Sequence, residues 1–360
     1  MDGTIVRFLR AVLVAVLLAA TACSGGGGNG DADPTEGALE NGERLVAFRG
    51  TGGLTLGGTL GVPDDLSGSA PAVVIVPTIA PTTDRDGFQN ATMADLLYKD
   101  LADAFRSAGF VTLRYDRRGI GASRIESGQK KPNYDQMVGD AAGAVQFLAG
   151  RKEVGKNAIA VVGHDIGGWA AIRVAATASR VKSLTLVSTP GRPLVDIYAD
   201  GFRAVYGQAS ADGFRASVAE LVQNGKLPGP DQISAQHQGV LGQGQDEWLK
   251  GVFAAAPLAD AGRVKVATLV TIGGASTTVT RIDADLIAQA IGPSAKVVTF
   301  PEDDTTLRPP HPDLPPIPFN PADESTHLFG ARPVVAVPRD SAAVDQTVTF
   351  VENSLKAAKA

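Results

Sequence analysis

Apolar, β-branched runs and helix-spaced apolar repeats alternate along most of the chain. Residues 45–49 and 54–62 read as a strand pair turning at Gly50-Thr51-Gly52-Gly53, a glycine-bearing link of hairpin length. Residues 72–76 form a short β-branched apolar run without polar alternation, the pattern of a strand covered on both faces. Met93, Leu96, Leu97, Leu101 and Phe105 then recur at helical spacing, and Gly109 stops that helix. The alternation continues with a strand at 111–115, a helix at 136–148, a strand at 159–162, a helix at 168–178 and a strand at 184–188. No strand signal occurs between Gly191 and Gly262. Strand 267–272, helix 284–291, strand 296–300 and a closing helix at 341–356 complete the pattern. Such alternation predicts an α/β fold: a mostly parallel sheet with helices on both faces. The strandless stretch, 192–262, follows the sixth strand and predicts a helical cap over the strand ends, where open α/β sheets bind ligands.

The first 43 residues break this pattern. Arg7 and Arg10 precede an apolar run at 11–20, too short to span a bilayer, and small residues lead into Ala20-Thr21-Ala22-Cys23. Residues 1–22 read as an export signal, and Cys23 is the sole cysteine of the chain. Its setting resembles the lipobox of bacterial lipoproteins, whose thiol is acylated and becomes the first mature residue. Ala20 stands where that motif usually has Leu. The resemblance implies anchoring by lipid to the outer face of a bacterial envelope membrane. Residues 23–43, opening with Ser24-Gly25-Gly26-Gly27-Gly28, have the composition of a flexible tether. The expected organisation is therefore signal 1–22, tether 23–43 and one domain over 44–358.

Composition narrows the functional classes. The chain has 360 residues, 33 Lys and Arg against 38 Asp and Glu, and a formal charge of −5, with no basic block of the kind that binds nucleic acid. One cysteine excludes an internal disulfide and a multi-cysteine zinc site. His237 and His311-Pro312-Asp313 lack the spacing of a metal site, and no phosphate loop follows the glycine pairs. No metal or cofactor is expected; a small-molecule ligand is.

The sharpest local signal is Val161-Val162-Gly163-His164-Asp165-Ile166-Gly167-Gly168, where a strand gives way to a helix between glycines. This is the G-x-S-x-G nucleophile elbow in its required context, with Asp165 in place of serine. From about residue 45 to 358 the chain resembles the α/β-hydrolase superfamily, in its bacterial esterase and serine-aminopeptidase-like branch. Asp84-Arg85-Asp86-Gly87, the run Tyr115-Asp116-Arg117-Arg118-Gly119-Ile120-Gly121-Ala122-Ser123, Trp248 and Pro257 before the seventh strand, and Thr326-His327-Leu328-Phe329 carry the resemblance. It implies catalytic roles for Asp165 and His327, and oxyanion donors in the backbone amides of Ile166, Thr78 and Ile79.

The departures are as informative. The acid expected after the seventh strand is replaced by Ser276 in Gly273-Gly274-Ala275-Ser276. The oxyanion loop reads Pro77-Thr78-Ile79-Ala80-Pro81 instead of being glycine-rich, and a proline-rich insert at 302–326 precedes His327. Asp283, Asp285, Glu302, Asp303, Asp304, Asp323 and Glu324 are the substitute acids on offer. Three readings stay open: a hydrolase with a remodelled triad acting on a small ester-like substrate, an inactive binding or scaffold protein, and an enzyme using Asp165 as nucleophile on epoxides or alkyl halides. For the last, Tyr198 and Tyr206 in the cap are candidate proton donors, whereas Trp169 reads as packing.

Overall fold

A computed structural model describes residues 36–38, 40–78, 84–90, 93–94, 96–125, 132–242, 245–310 and 338–358. The expected signal, the tether up to residue 35, Cys23, Ile79, most of the proline-rich insert and His327 lie outside the described residues.

Eight strands form the main sheet: β1 (Glu43–Arg49), β2 (Thr55–Gly61), β3 (Ala70–Val76), β4 (Val111–Tyr115), β5 (Val154–His164), β6 (Val181–Val187), β7 (Ala267–Gly273) and β8 (Ala295–Phe300). Their order is β1-β2-β4-β3-β5-β6-β7-β8. β1 pairs with β2 and β2 with β4 in antiparallel fashion, and every later pairing is parallel. The parallel strands are covered on both faces because alternate side chains feed different cores. Val74 and Val76 of β3 join one cluster with Val161, Ala144 and Ile172. Val73 and Ile75 join the other, with Val162, Leu101, Phe105 and Val351. A period of two thus explains why β3 is apolar throughout.

The helices alternate with these strands. They are α1 (Leu97–Ser107), α2 (Tyr134–Ala149), α3 (Ile166–Thr177), α8 (Arg281–Ile291) and α9 (Ser341–Ala357), with α4 (Leu194–Tyr206), α5 (Gln208–Asn224), α6 (Asp246–Phe253) and α7 (Pro257–Ala261) in the insert between β6 and β7. At the start of α2, the Asn133 side chain accepts from the Gln136 amide while the Gln136 side chain accepts from the Asn133 amide, a reciprocal cap. The insert holds itself together through aromatic packing: Phe202 lies 4.8 Å from Phe214 and 4.5 Å from the His237 ring. One expectation shifts. The helix foreseen from Met93 starts only at Leu97, because Met93–Ala94 pairs with Phe88–Asn90 in a short hairpin off the main sheet. Among the described residues, no helix is long and apolar enough to cross a membrane.

Candidate active site

The carboxyl ends of β4, β3 and β5 stand side by side in the sheet, and the site grows from the turns that leave them. Asp165 is the single residue between β5 and α3 and takes φ +53° and ψ −130°, a backbone region L-residues rarely enter. The turn is locked by the Asp165 amide donating to Val187 O at 2.9 Å and the Gly168 amide donating to Asp165 O at 2.8 Å. Its flanking glycines are required by space. A methyl on Gly167 would collide with the carbonyl oxygen of Pro77, and one on Gly163 would come within 2.6 Å of the Gly168 Cα. The sequence pattern therefore records how closely strand, helix and oxyanion loop approach each other.

Asp165 is fully buried. Its Oδ2 accepts a short hydrogen bond from the Thr78 hydroxyl, and its Oδ1 has no hydrogen-bond partner among the described residues. Burial pushes the Asp165 carboxyl well above the usual carboxylate range, and the Thr78 hydroxyl and Ile166 amide offset only part of this. The Thr78 amide, foreseen as an oxyanion donor, instead donates to Tyr98 Oη at 2.9 Å. Tyr98 Oη in turn lies 3.0 Å from His164 Nδ1. The Thr78 hydroxyl, not its amide, therefore faces Asp165. Neither that hydroxyl nor Tyr98 was singled out from sequence. Tyr98 shows there only as one position of an amphipathic helix, and its contacts lie 20 and 66 residues away.

The two cap tyrosines separate. Tyr198 packs 6.0 Å from Phe214, and burial followed by the proximity of Asp165 pushes its hydroxyl well above the ordinary tyrosine range. Tyr206 is 43% exposed and lies against Phe202. Trp169 is buried with Nε1 donating to Pro190 O at 2.7 Å, as packing requires.

At the acid position, Ser276 is half-buried and folds onto its own turn, its Oγ 3.5 Å from Thr278 Oγ1 and accepting from the Thr278 amide at 3.4 Å. The substitute acids sort by environment. Asp283 receives the amides of Gly191, Arg192 and Thr280 and pairs with Arg192 at 3.0 Å. Burial works against its ionised form, but Arg192 and those amides outweigh it and hold the carboxyl below the usual range. Asp285 forms an exposed pair with Arg281, Glu302 faces solvent, and Asp304 accepts from Thr306 and the Arg308 amide. Asp303 differs. It is 2% exposed, its Oδ2 has no hydrogen-bond partner among the described residues, and its main chain accepts from the Ala275 amide at 2.9 Å. Burial, then Asp340, Asp304 and Glu302, push its carboxyl up to about 6. Asp323 and Glu324 lie outside the described residues.

The Asp84–Gly87 motif is a brace. Arg85 pairs with Asp116 at 2.6 Å and donates to Thr59 Oγ1 at 2.8 Å, while Asp86 receives Arg114 at 2.5 Å. Among the described residues, no group of three or more His, Cys, Asp or Glu is arranged to hold a metal ion. His237 contacts Ser210 Oγ at 3.1 Å and Ser234 Oγ at 3.0 Å.

Strand order, strained elbow and cap after the sixth strand define an α/β-hydrolase. The family described as serine aminopeptidase, S33 matches residues 95–301, more than half of the chain, and the chain belongs to that family. Solved structures agree on the fold. An esterase of Pyrococcus furiosus is 14% identical with a TM-score of 0.54, the match covering 87% of this chain and 91% of that one. A hypothetical protein of Pseudomonas aeruginosa is 17% identical with a TM-score of 0.52, covering 73% and 87%. Est1E from Butyrivibrio proteoclasticus is 14% identical with a TM-score of 0.52, covering 86% and 99%. At these identities the likeness is one of fold, not of substrate. No curated protein sequence matches the chain at a significant level.

Proposed function

We propose that this hydrolase-family chain does not use serine-type acyl transfer and that Asp165 is a carboxylate nucleophile toward a small uncharged electrophile, an epoxide or alkyl halide. One observation carries the reading: Oδ2 is tethered by Thr78 while Oδ1 is buried and without a partner among the described residues, beside the cap tyrosine Tyr198. An attacking oxygen needs that freedom, and its twin needs that tether. With an epoxide, Oδ1 forms a C–O bond as the ring C–O bond breaks, and the Tyr198 hydroxyl supplies the proton to the leaving oxygen. Water then cleaves the alkyl ester, releasing a diol and regenerating the carboxylate, and the proton set free restores the Tyr198 hydroxyl. The family resemblance assigns the base in that second step to His327.

A second reading, a ligand-binding protein without turnover, is favoured by the Thr78 amide being engaged with Tyr98 and by burial, which favours a protonated Asp165. A turnover panel of short esters, epoxides and haloalkanes separates the two. The nucleophile reading expects epoxide or haloalkane turnover in the full chain, its loss in Asp165→Ala, and an alkyl ester on Asp165 trapped by mass spectrometry. Equal background rates in both proteins overturn it in favour of the binding reading. Ester cleavage gained in Asp165→Ser would show that donors for an oxyanion still converge there.

We further propose that the chain is exported and anchored through lipid on Cys23, which the sequence of residues 1–23 supports. In a bacterial host the protein is expected to incorporate labelled palmitate and fractionate with membranes. Unchanged labelling and fractionation of Cys23→Ser would reject the anchor.

A further inference from the structure

Four buried or half-buried arginines lie around the turn that follows β4, and three of them are neutralised; a fifth, Arg124, is exposed to solvent. Arg85 pairs with Asp116 at 2.6 Å, Arg114 with Glu43 at 2.6 Å and Asp86 at 2.5 Å, and Arg118 with Asp140 at 2.7 Å. The fourth, Arg117, has no side-chain hydrogen bond and no ion pair among the described residues, and its Nε is sealed from solvent. A guanidinium carries five donors and cannot shed its charge at neutral pH, so leaving one part-buried and unpaired is costly unless something else supplies the acceptor.

The sheet places Arg117 beside the elbow. Arg117 is two residues beyond β4, Thr78 two beyond β3, and Asp165 one beyond β5, and these strands are neighbours. At the usual strand spacing this sets Arg117 roughly 10 Å from the Asp165 backbone, along the crevice at the strand ends. Tyr98 lies within electrostatic reach of Arg117, and its hydroxyl contacts the Thr78 amide and His164. Burial lowers the Arg117 guanidinium to about 10, the direction expected of a cation without a counter-charge.

We infer that Arg117 is the anchor for a carboxylate on the ligand of the elbow pocket, so that the preferred ligand is a small carboxylic acid whose far end reaches Asp165. A single unpaired guanidinium matches a monoanion, and its planar fork suits two carboxylate oxygens. A phosphate dianion would call for a second free cation away from solvent, and the other buried or half-buried arginines around this turn are already paired. The inference deepens the reading of Asp165 as the reactive end of the site, but the anion subsite requires no turnover and is tested by binding alone.

The test is calorimetric titration of the full chain with butyrate and, as an uncharged control, butyramide. Butyrate should bind more tightly than butyramide. Arg117→Met should weaken butyrate by at least about tenfold, as expected for a lost charge-assisted pair, and leave butyramide unchanged. Arg117→Lys, which keeps the charge but not the fork, should fall between the two and covers the case in which the methionine variant fails to fold. Asp165→Asn should retain butyrate binding, so failure of the nucleophile reading leaves this one standing. Butyrate binding no better than butyramide, or unchanged in both Arg117 variants, overturns the proposal.

Discussion

Two turns at the carboxyl edge of the sheet have each exchanged their expected side chain, with opposite results. After β5, Asp165 replaces a hydroxyl, yet the strained backbone, the tight glycines and the contact with the oxyanion loop all persist. After β7, Ser276 replaces a carboxylate, and the turn satisfies itself through Thr278. The first turn holds a buried group whose bonding is incomplete; the second holds a half-buried group already satisfied. A site can lose its residue and keep its geometry at one corner, and lose both at another. Beside the second corner, in the loop after β8, Asp303 is buried and its main chain accepts from the Ala275 amide of the β7 turn.

The largest effect expected from this contrast is on turnover. Asp165→Ala should lower epoxide or haloalkane turnover at least about a thousandfold, to background, whereas Ser276→Ala should stay within about twofold, because only the first removes the proposed nucleophile. Comparable losses in both would show that the β7 turn still takes part.

Stability should divide the two turns the same way. Gly167→Ala forces a methyl against backbone at Pro77, which cannot swing aside, and should cost at least about 2 kcal/mol in denaturant unfolding. Ser276→Ala removes one weak local contact and should cost under about 0.5 kcal/mol. A small effect at Gly167 would mean that the elbow is looser than its contacts imply.

The smallest expected effect is on pH dependence, and it reads the buried Asp303 beside the β7 turn. The Asp303 carboxyl is raised to about 6, above its unfolded value near ~3.9. Between these values the folded chain keeps a proton that the unfolded chain has lost, so this group's contribution to stability declines as pH rises. Melting temperatures of the parent minus those of Asp303→Asn should therefore fall between about pH 4 and 6 and level off above. A flat difference would mean that Asp303 is solvated. Asp165, whose carboxyl is also raised by burial, has the same sign, so a rate that needs its ionised form should rise with pH while its contribution to stability falls.

Much of the architecture was legible in the chain. The doubly covered strands announced themselves as uninterrupted β-branched runs, and Gly163 and Gly167 marked the elbow because no other residue fits there. The cap was visible as a long strandless stretch. The chemistry around the elbow was less so. The Thr78 hydroxyl and Tyr98 have partners brought together by the sheet order, and local pattern carries no trace of such contacts. The start of α1 was misplaced for a related reason: Met93 has helical spacing, but tertiary pairing recruits it to a hairpin.

That same sheet order shapes how the protein reaches its native state. Thr78 and Asp165 are 87 residues apart, and β3 acquires both sheet neighbours only after β4 and β5 have been synthesised and their crossovers closed. Loop-closure entropy is lost before such distant contacts repay it, which makes topologies of this kind slow to fold. The elbow site is therefore a product of completed folding and not its seed. Until β5 docks, β3 offers an open apolar edge, the period in which this chain is most exposed to aggregation.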